Sequence, residues 1–204
     1  WWPSQDGRWL AYALSANNAD ESTLHTLEVD TGKVSTVDEI PGARYARPHW
    51  LPDGSGFYYT RWPLDASIPI DQRPGHTAIY LHLRGAPYTR DALVFPATGD
   101  PTLFISPSLS QDGRFLFVHR YRGWTRNDVL VRDLQREEKF RTLVEGVDAH
   151  FFVEAWKGRF YVLTDLDAPR WRVMVANPGS ELIPHWRELV PQDPQAVLDD
   201  VEVV

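Results

Sequence analysis

The 204-residue chain is 43% hydrophobic and 24% charged with a formal net charge of -7, a balance that excludes a disordered segment and argues against nucleic acid as a partner, since phosphates are held by clustered Lys and Arg. Zero cysteines exclude disulfides and thiolate metal sites and leave the compartment open between cytoplasm and periplasm. No apolar run approaches the ~18 residues of a membrane helix, and the N-terminus lacks the charged-then-apolar layout of a signal peptide, so a soluble chain with no membrane partner is expected.

Aromatic residues reach 13%, in short runs that alternate with small or polar residues, which favours strands over helices. In chain order, the first element is a hairpin, Trp2-Pro3-Ser4-Gln5-Asp6-Gly7-Arg8-Trp9-Leu10-Ala11-Tyr12, followed by alternating runs at residues 23–29 and 34–37. The hairpin recurs as Trp50-Leu51-Pro52-Asp53-Gly54-Ser55-Gly56-Phe57-Tyr58-Tyr59, with runs at 78–83 and 92–95 after it. A third copy, Leu109-Ser110-Gln111-Asp112-Gly113-Arg114-Phe115-Leu116-Phe117, precedes runs at 129–134 and 140–144. A worn fourth, Trp156-Lys157-Gly158-Arg159-Phe160-Tyr161-Val162, precedes runs at 171–176 and 186–190. Asp-Gly suits the tight turn because Gly adopts positive φ freely and Asp tolerates it better than most residues.

Four strands per repeat, with no amphipathic helix between repeats, predict an all-β fold and a β-propeller fragment. The expected organisation is a single partial propeller domain over 1–204, with about four four-stranded blades at roughly 1–42, 43–103, 104–148 and 149–204. The opening blade lacks nearly all of its innermost strand, and residues 198–204 read as a lone inner strand. Unpaired edges find partners, so that terminal strand is expected either to complete the first blade or to exchange with a second copy, giving self-association through open blade edges.

Several segments in order carry a resemblance. They are Leu27-Glu28-Val29-Asp30-Thr31-Gly32-Lys33, the hairpin from Trp50 to Arg61, Tyr80-Leu81-His82-Leu83-Arg84-Gly85 with Asp91-Ala92-Leu93-Val94-Phe95, and Ser110-Gln111-Asp112-Gly113-Arg114-Phe115-Leu116. Arg122-Gly123-Trp124, Phe160-Tyr161-Val162-Leu163-Thr164-Asp165 and Ala168-Pro169-Arg170 continue it. Together they resemble the prolyl oligopeptidase family, more closely its bacterial members, over nearly the whole chain. Oligopeptidase B shares much of this pattern, and the balance of segments favours prolyl oligopeptidase. The 64–75 loop carries little of the likeness, and Arg84 stands where a small or aliphatic residue is usual.

The resemblance implies a propeller of seven blades that covers the Ser-His-Asp triad of a separate α/β-hydrolase domain and admits short proline-containing peptides. That hydrolase domain is absent here. A nucleophile elbow needs Gly-x-Ser-x-Gly, which the sequence lacks, and Ser55 sits in a repeated turn, so no catalytic residue is expected in this chain. The resemblance also implies substrate-facing positions: Tyr45, shortly before the Trp of the second hairpin, and Trp124, with Tyr121 and Arg122 in the same loop. Plain packing at the blade edge competes with that role. Seven histidines show no metal-ligand spacing and read as solvated or core-edge residues, and Asp165/Asp167 and Asp199/Asp200 as solvated turns; neither a metal nor a cofactor is expected. Two readings compete with the gating role: a free-standing propeller that binds proteins or peptides, and a glycosidase propeller, for which the inner strands offer few carboxylates.

Overall fold

The repeated hairpins open four-stranded antiparallel sheets in the computed structural model, which describes residues 1–180 and 182–201. The first sheet joins β1 (Trp2–Pro3), β2 (Trp9–Leu14), β3 (Thr23–Glu28) and β4 (Lys33–Pro41); the second joins β5 (His49–Trp50), β6 (Gly56–Arg61), β7 (Ala78–Leu83) and β8 (Ala92–Phe95). The third contains β9 (Leu103–Leu109), β10 (Phe115–Arg122), β11 (Arg126–Asp133) and β12 (Arg141–Val144), and the fourth β13 (Phe151–Trp156), β14 (Arg159–Thr164), β15 (Arg172–Ala176) and β16 (Arg187–Val190). Strand order follows chain order in all four, so every sheet is a meander.

Local chemistry explains the turns. Ser4 Oγ donates to Asp6 Oδ1 (2.6 Å) and accepts from Trp9 N (3.0 Å), Arg8 N donates to the same carboxylate (3.1 Å), and Gly7 turns the chain at φ 70°. Ser110, Asp112, Arg114 and Phe115 repeat the pattern at 2.6, 3.0 and 2.8 Å, with Gly113 also at φ 70°. At Asp53 the carboxylate takes both the Ser55 amide (3.0 Å) and its hydroxyl (2.6 Å). The aspartates therefore act as acceptors for amides two residues on, not as residues at positive φ, which only the following Gly adopts. The fourth copy turns differently: Lys157 (φ 47°) and Gly158 (φ 72°) are both left-handed between the paired Trp156 and Arg159, a two-residue turn that needs no carboxylate.

Two inner strands depart from the common pattern. The strand before the second hairpin spans only His49–Trp50, because Ala46 N turns back to Ala43 O (3.0 Å) and Pro48 has no N–H to give a ladder. Residues 198–201 form no strand; Leu198 N bonds to Arg170 O (3.0 Å), which ties the segment to the β14–β15 connection instead of a sheet edge. Residues 202–204 of that expected strand lie outside the described residues.

The chain divides into two compact units, Trp1–Leu109 and Ser110–Val204. In the first, Leu24 and Ile40 of the first sheet meet Trp50, Phe57 and Tyr59 of the second, with Trp50 edge-on to Phe57 at 4.9 Å and its Nε1 donating to Trp2 O (3.0 Å). In the second, Phe115 and Phe117 both stand edge-on to Phe160, at 5.0 and 5.3 Å, amid Val129, Val131, Phe151 and Val153. The buried Asn127 amide donates to Phe151 O (2.9 Å) and accepts from Phe151 N (2.8 Å), so one side chain stitches β11 to β13.

One polar group is buried in the first unit at its most costly point. His82 on β7 is wholly buried, with Nδ1 2.8 Å from Asp91 Oδ1 and Nε2 3.2 Å from Asp38 Oδ1. Asp38, on β4 of the first sheet, also accepts from Thr26 (2.5 Å) and the Gly85 amide (2.6 Å), while Asp91 accepts from the Tyr59 hydroxyl (2.6 Å) beside Arg61. Burial opposes a charged ring, but hydrogen bonds to Asp38 and Asp91 and their charges override it and raise the imidazole from 6.5 to about 9. Burial likewise opposes the charged Asp38 carboxylate, yet the bonds from His82, Thr26 and Gly85 hold it below its usual range.

The linked pH dependence has a definite sign. Stability from the raised His82 is whole below its unfolded value of 6.5 and is lost as pH climbs through about 9. Stability from the lowered Asp38 is present above its unfolded value of 3.8 and is lost as pH falls below it. Urea unfolding is therefore expected to show a lower midpoint at alkaline than at neutral pH, and His82→Leu to cost roughly 3–5 kcal/mol at neutral pH because it strands two buried carboxylates. A midpoint unmoved by the substitution would contradict the ion-pair account.

Candidate functional site

Within each sheet, the hairpin turns of the repeat lie at one end, and the loops joining its second and third strands lie at the other. The residues singled out for substrate contact fall at this second end. Tyr121 and Arg122 close β10 opposite Asn127 and Arg126, and residues 123–125 form the tip, where Gly123 takes φ 59° with open space around it. Trp124 at that tip is 96% exposed. Arg122 is exposed too, whereas Tyr121 is half-buried, its ring near-parallel to His119 at 6.1 Å. The hairpin thus brings Tyr121, Arg122 and Trp124 together along one projection.

The backbone of this tip is held by a histidine the sequence did not single out. His150, just before β13, places Nε2 2.9 Å from the Trp124 carbonyl and Nδ1 2.7 Å from Asp165 Oδ2, while its own amide donates to Asp165 Oδ1 (2.7 Å). Its ring lies near-parallel to Phe152 (6.5 Å) and tilted on Trp171 (5.5 Å), and Phe152 and Trp171 are 5.7 Å apart. Three such separations cannot lie along one stacking axis, so the rings form a stepped shelf.

Tyr45 belongs to the first unit, in the 42–48 connection between β4 and β5. The path of that connection depends on Gly42 at φ 74°, where a Cβ would stand 2.6 Å from the Trp62 carbonyl and Trp62 N bonds back to Gly42 O (2.8 Å). Tyr45 stands edge-on to Trp62 (5.2 Å) and to Phe104 (5.8 Å), and the Arg44 guanidinium lies 5.3 Å from its ring centre while pairing with Asp20 (3.0 Å). Tyr45 and Phe104 remain 44% and 40% exposed, so this group offers ring surface from a buried Trp62 support.

The expectation of solvated or core-edge histidines fails for His82, which two carboxylates enclose. Asp165 lies in a turn as expected, and its part-exposed carboxylate also clasps His150. His82 and Asp91 belong to one resembling segment, and Asp165 closes another. Ser55 donates to Asp53, as its place in a turn requires. Among the described residues, no cluster of three His, Cys, Asp or Glu could hold a metal ion, and no helix is long and apolar enough to cross a membrane. The contrast in support between the two aromatics is testable: Trp124→Ala is expected to leave the urea midpoint unchanged, while Tyr45→Ala, which removes two ring contacts, costs about 1 kcal/mol.

The family model described as the prolyl oligopeptidase N-terminal beta-propeller domain matches residues 1–204. Among curated relatives, a prolyl endopeptidase of Elizabethkingia meningoseptica is 25% identical over 194 residues, covering 92% of this chain and 26% of the relative. Prolyl oligopeptidase A of Galerina marginata is 24% identical over 214 residues, covering 93% and 28%. The chain thus spans about a quarter of the length of these relatives. A solved structure from a study of two prolyl endopeptidases and their inter-domain dynamics superimposes with a TM-score of 0.94 at 48% identity, covering all of this chain and 30% of that one. Prolyl oligopeptidase B of Galerina marginata, bound to a 35mer hydrolysis and macrocyclization substrate, shares the fold at TM-score 0.82 and 22% identity over 97% of this chain and 30% of that one. The four meanders are blades of a propeller, and the chain belongs to the prolyl oligopeptidase N-terminal β-propeller family.

Proposed function

We propose that this chain is the noncatalytic, peptide-gating propeller portion of a serine peptidase that cleaves short peptides after proline. The reading is carried by exposed aromatic side chains on braced connections at the loop end of the sheets: Trp124 on a tip tied down by His150, and Tyr45 on the Trp62 support. Flat ring faces suit a proline ring, which is rigid and apolar and gives up little entropy on stacking. Tyr121 and Arg122 flank the Trp124 tip, and Arg122 adds a donor suited to a peptide carbonyl or carboxylate. In an α/β-hydrolase the nucleophilic serine sits on a Gly-x-Ser-x-Gly elbow, which this sequence lacks, so the bond-breaking step belongs to the hydrolase domain of the family. A rigid cover contributes by admitting thin, unfolded chains, refusing folded ones and keeping bulk water from the reaction.

Two measurements on the chain as it stands test this. It is expected to leave a chromogenic proline peptide uncleaved, and a short peptide carrying a diazirine-bearing proline analogue is expected to photolabel Tyr45 and the 121–124 segment. Hydrolysis by the chain alone would overturn the noncatalytic assignment. Labelling confined to outer strands such as β16 would favour a free-standing binding module.

A further inference from the structure

We propose that His150, oriented by Asp165, is a positioning residue that fixes the attitude of the Trp124 tip. The third sheet does not do this by itself. Its last cross-strand pair is Arg122 with Arg126, and beyond it Gly123 stands in open space. The root of the hairpin is anchored elsewhere, where the buried Asn127 amide holds the Phe151 backbone at 2.8 and 2.9 Å. Between that root and the exposed indole, His150 Nε2 lies 2.9 Å from the Trp124 carbonyl and so ties down the tip backbone.

The ring that makes this bond is itself closely defined. Asp165 grips the amide and Nδ1 of the same histidine, both at 2.7 Å, so backbone and side chain are set by one carboxylate. Trp171 and Phe152 then bound the ring face at 5.5 and 6.5 Å. Trp171 reaches it from a left-handed backbone at φ 67°, in a connection where Asp167 is also left-handed at φ 51°. For a bulky residue that conformation is strained and persists only where surrounding contacts over-determine it. The strain sits where it turns an aromatic onto His150. The outcome is a pinned carbonyl carrying a side chain that is 96% exposed, which is pre-organisation of a contact group at little cost in mobility on binding. That the presented contact serves peptide selection rests on the gating reading; the positioning itself does not.

Hydrogen exchange of the chain, read by mass spectrometry without peptide, separates the two. His150→Phe keeps the ring contacts and removes both ring nitrogens, and Asp165→Asn removes the orienting charge at equal size. Each is expected to speed exchange at amides 123–126 by about tenfold while β10 and the Asn127-anchored root stay protected. His150→Gln, whose amide N–H reaches about as far as Nε2, is expected to restore part of the protection. Unchanged tip exchange in both variants would overturn the proposal. So would an equal rise throughout the sheet, which would make His150 an ordinary structural support. A tip that loosens as expected but never photolabels with the proline peptide would count against the gating reading and leave the positioning role standing.

Discussion

A cation enclosed between two carboxylates governs the first unit. Asp38 reaches His82 from the outermost strand of the first sheet, and Asp91 reaches it from just before the outermost strand of the second, so the ion triplet spans both sheets. Burying any one of these charges alone would be prohibitive; burying three with their hydrogen bonds satisfied makes each depend on the others. Thr26, Gly85 and Tyr59 complete that satisfaction, and Arg61 extends it to the face of Tyr80, 3.7 Å from the ring centre. Apolar packing of Ile40 against Trp50 and Phe57 tolerates small slips, but an ion triplet with these lengths does not. It therefore defines how the first two sheets meet, and the Tyr45 connection runs from the strand that Asp38 occupies.

Much of this architecture can be read from the residues alone because the turns are local. Ser-x-Asp-Gly closes its own hydrogen bonds within six residues, so the pattern stays visible wherever it recurs, and strands follow from alternation on either side. Segments 78–83 and 92–95 coincide with β7 and β8 for that reason. The short β5 was harder, since its length is set by a turn at Ala43 and Ala46 and by the missing amide of Pro48. The site was less legible than the fold. Tyr45 and Trp124 are identified through resemblance, but nothing in composition or spacing says that His150, 26 residues from Trp124, would reach its carbonyl. Histidine carries no periodic signal, and its role is decided by which acceptors a folded chain brings to its two nitrogens.

The two aromatic presentations are built on different principles. Tyr45 rests on other rings, with Trp62 and Phe104 edge-on and Arg44 over the face, so its position is held by dispersion and quadrupole contacts that yield gradually. Trp124 makes no use of its ring and is held through its backbone by a directional bond that is either made or broken. A connection of the first kind yields by degrees; one of the second kind keeps a set orientation until it lets go.

The serine-aspartate turns bear on how such a fold grows. A hairpin whose serine and aspartate side chains are answered within its own few residues can be multiplied along a gene without requiring any compensating change next door, as the matching bonds at Ser4 and Ser110 illustrate. Individuality then has to arise at the seams. There the ties bear no likeness to one another: an ion triplet at His82 and an amide stitch at Asn127. Copies that began interchangeable would become fixed in sequence once each seam acquired its own lock, leaving the ancestry of the repeats in their turns and the order of assembly in their joints.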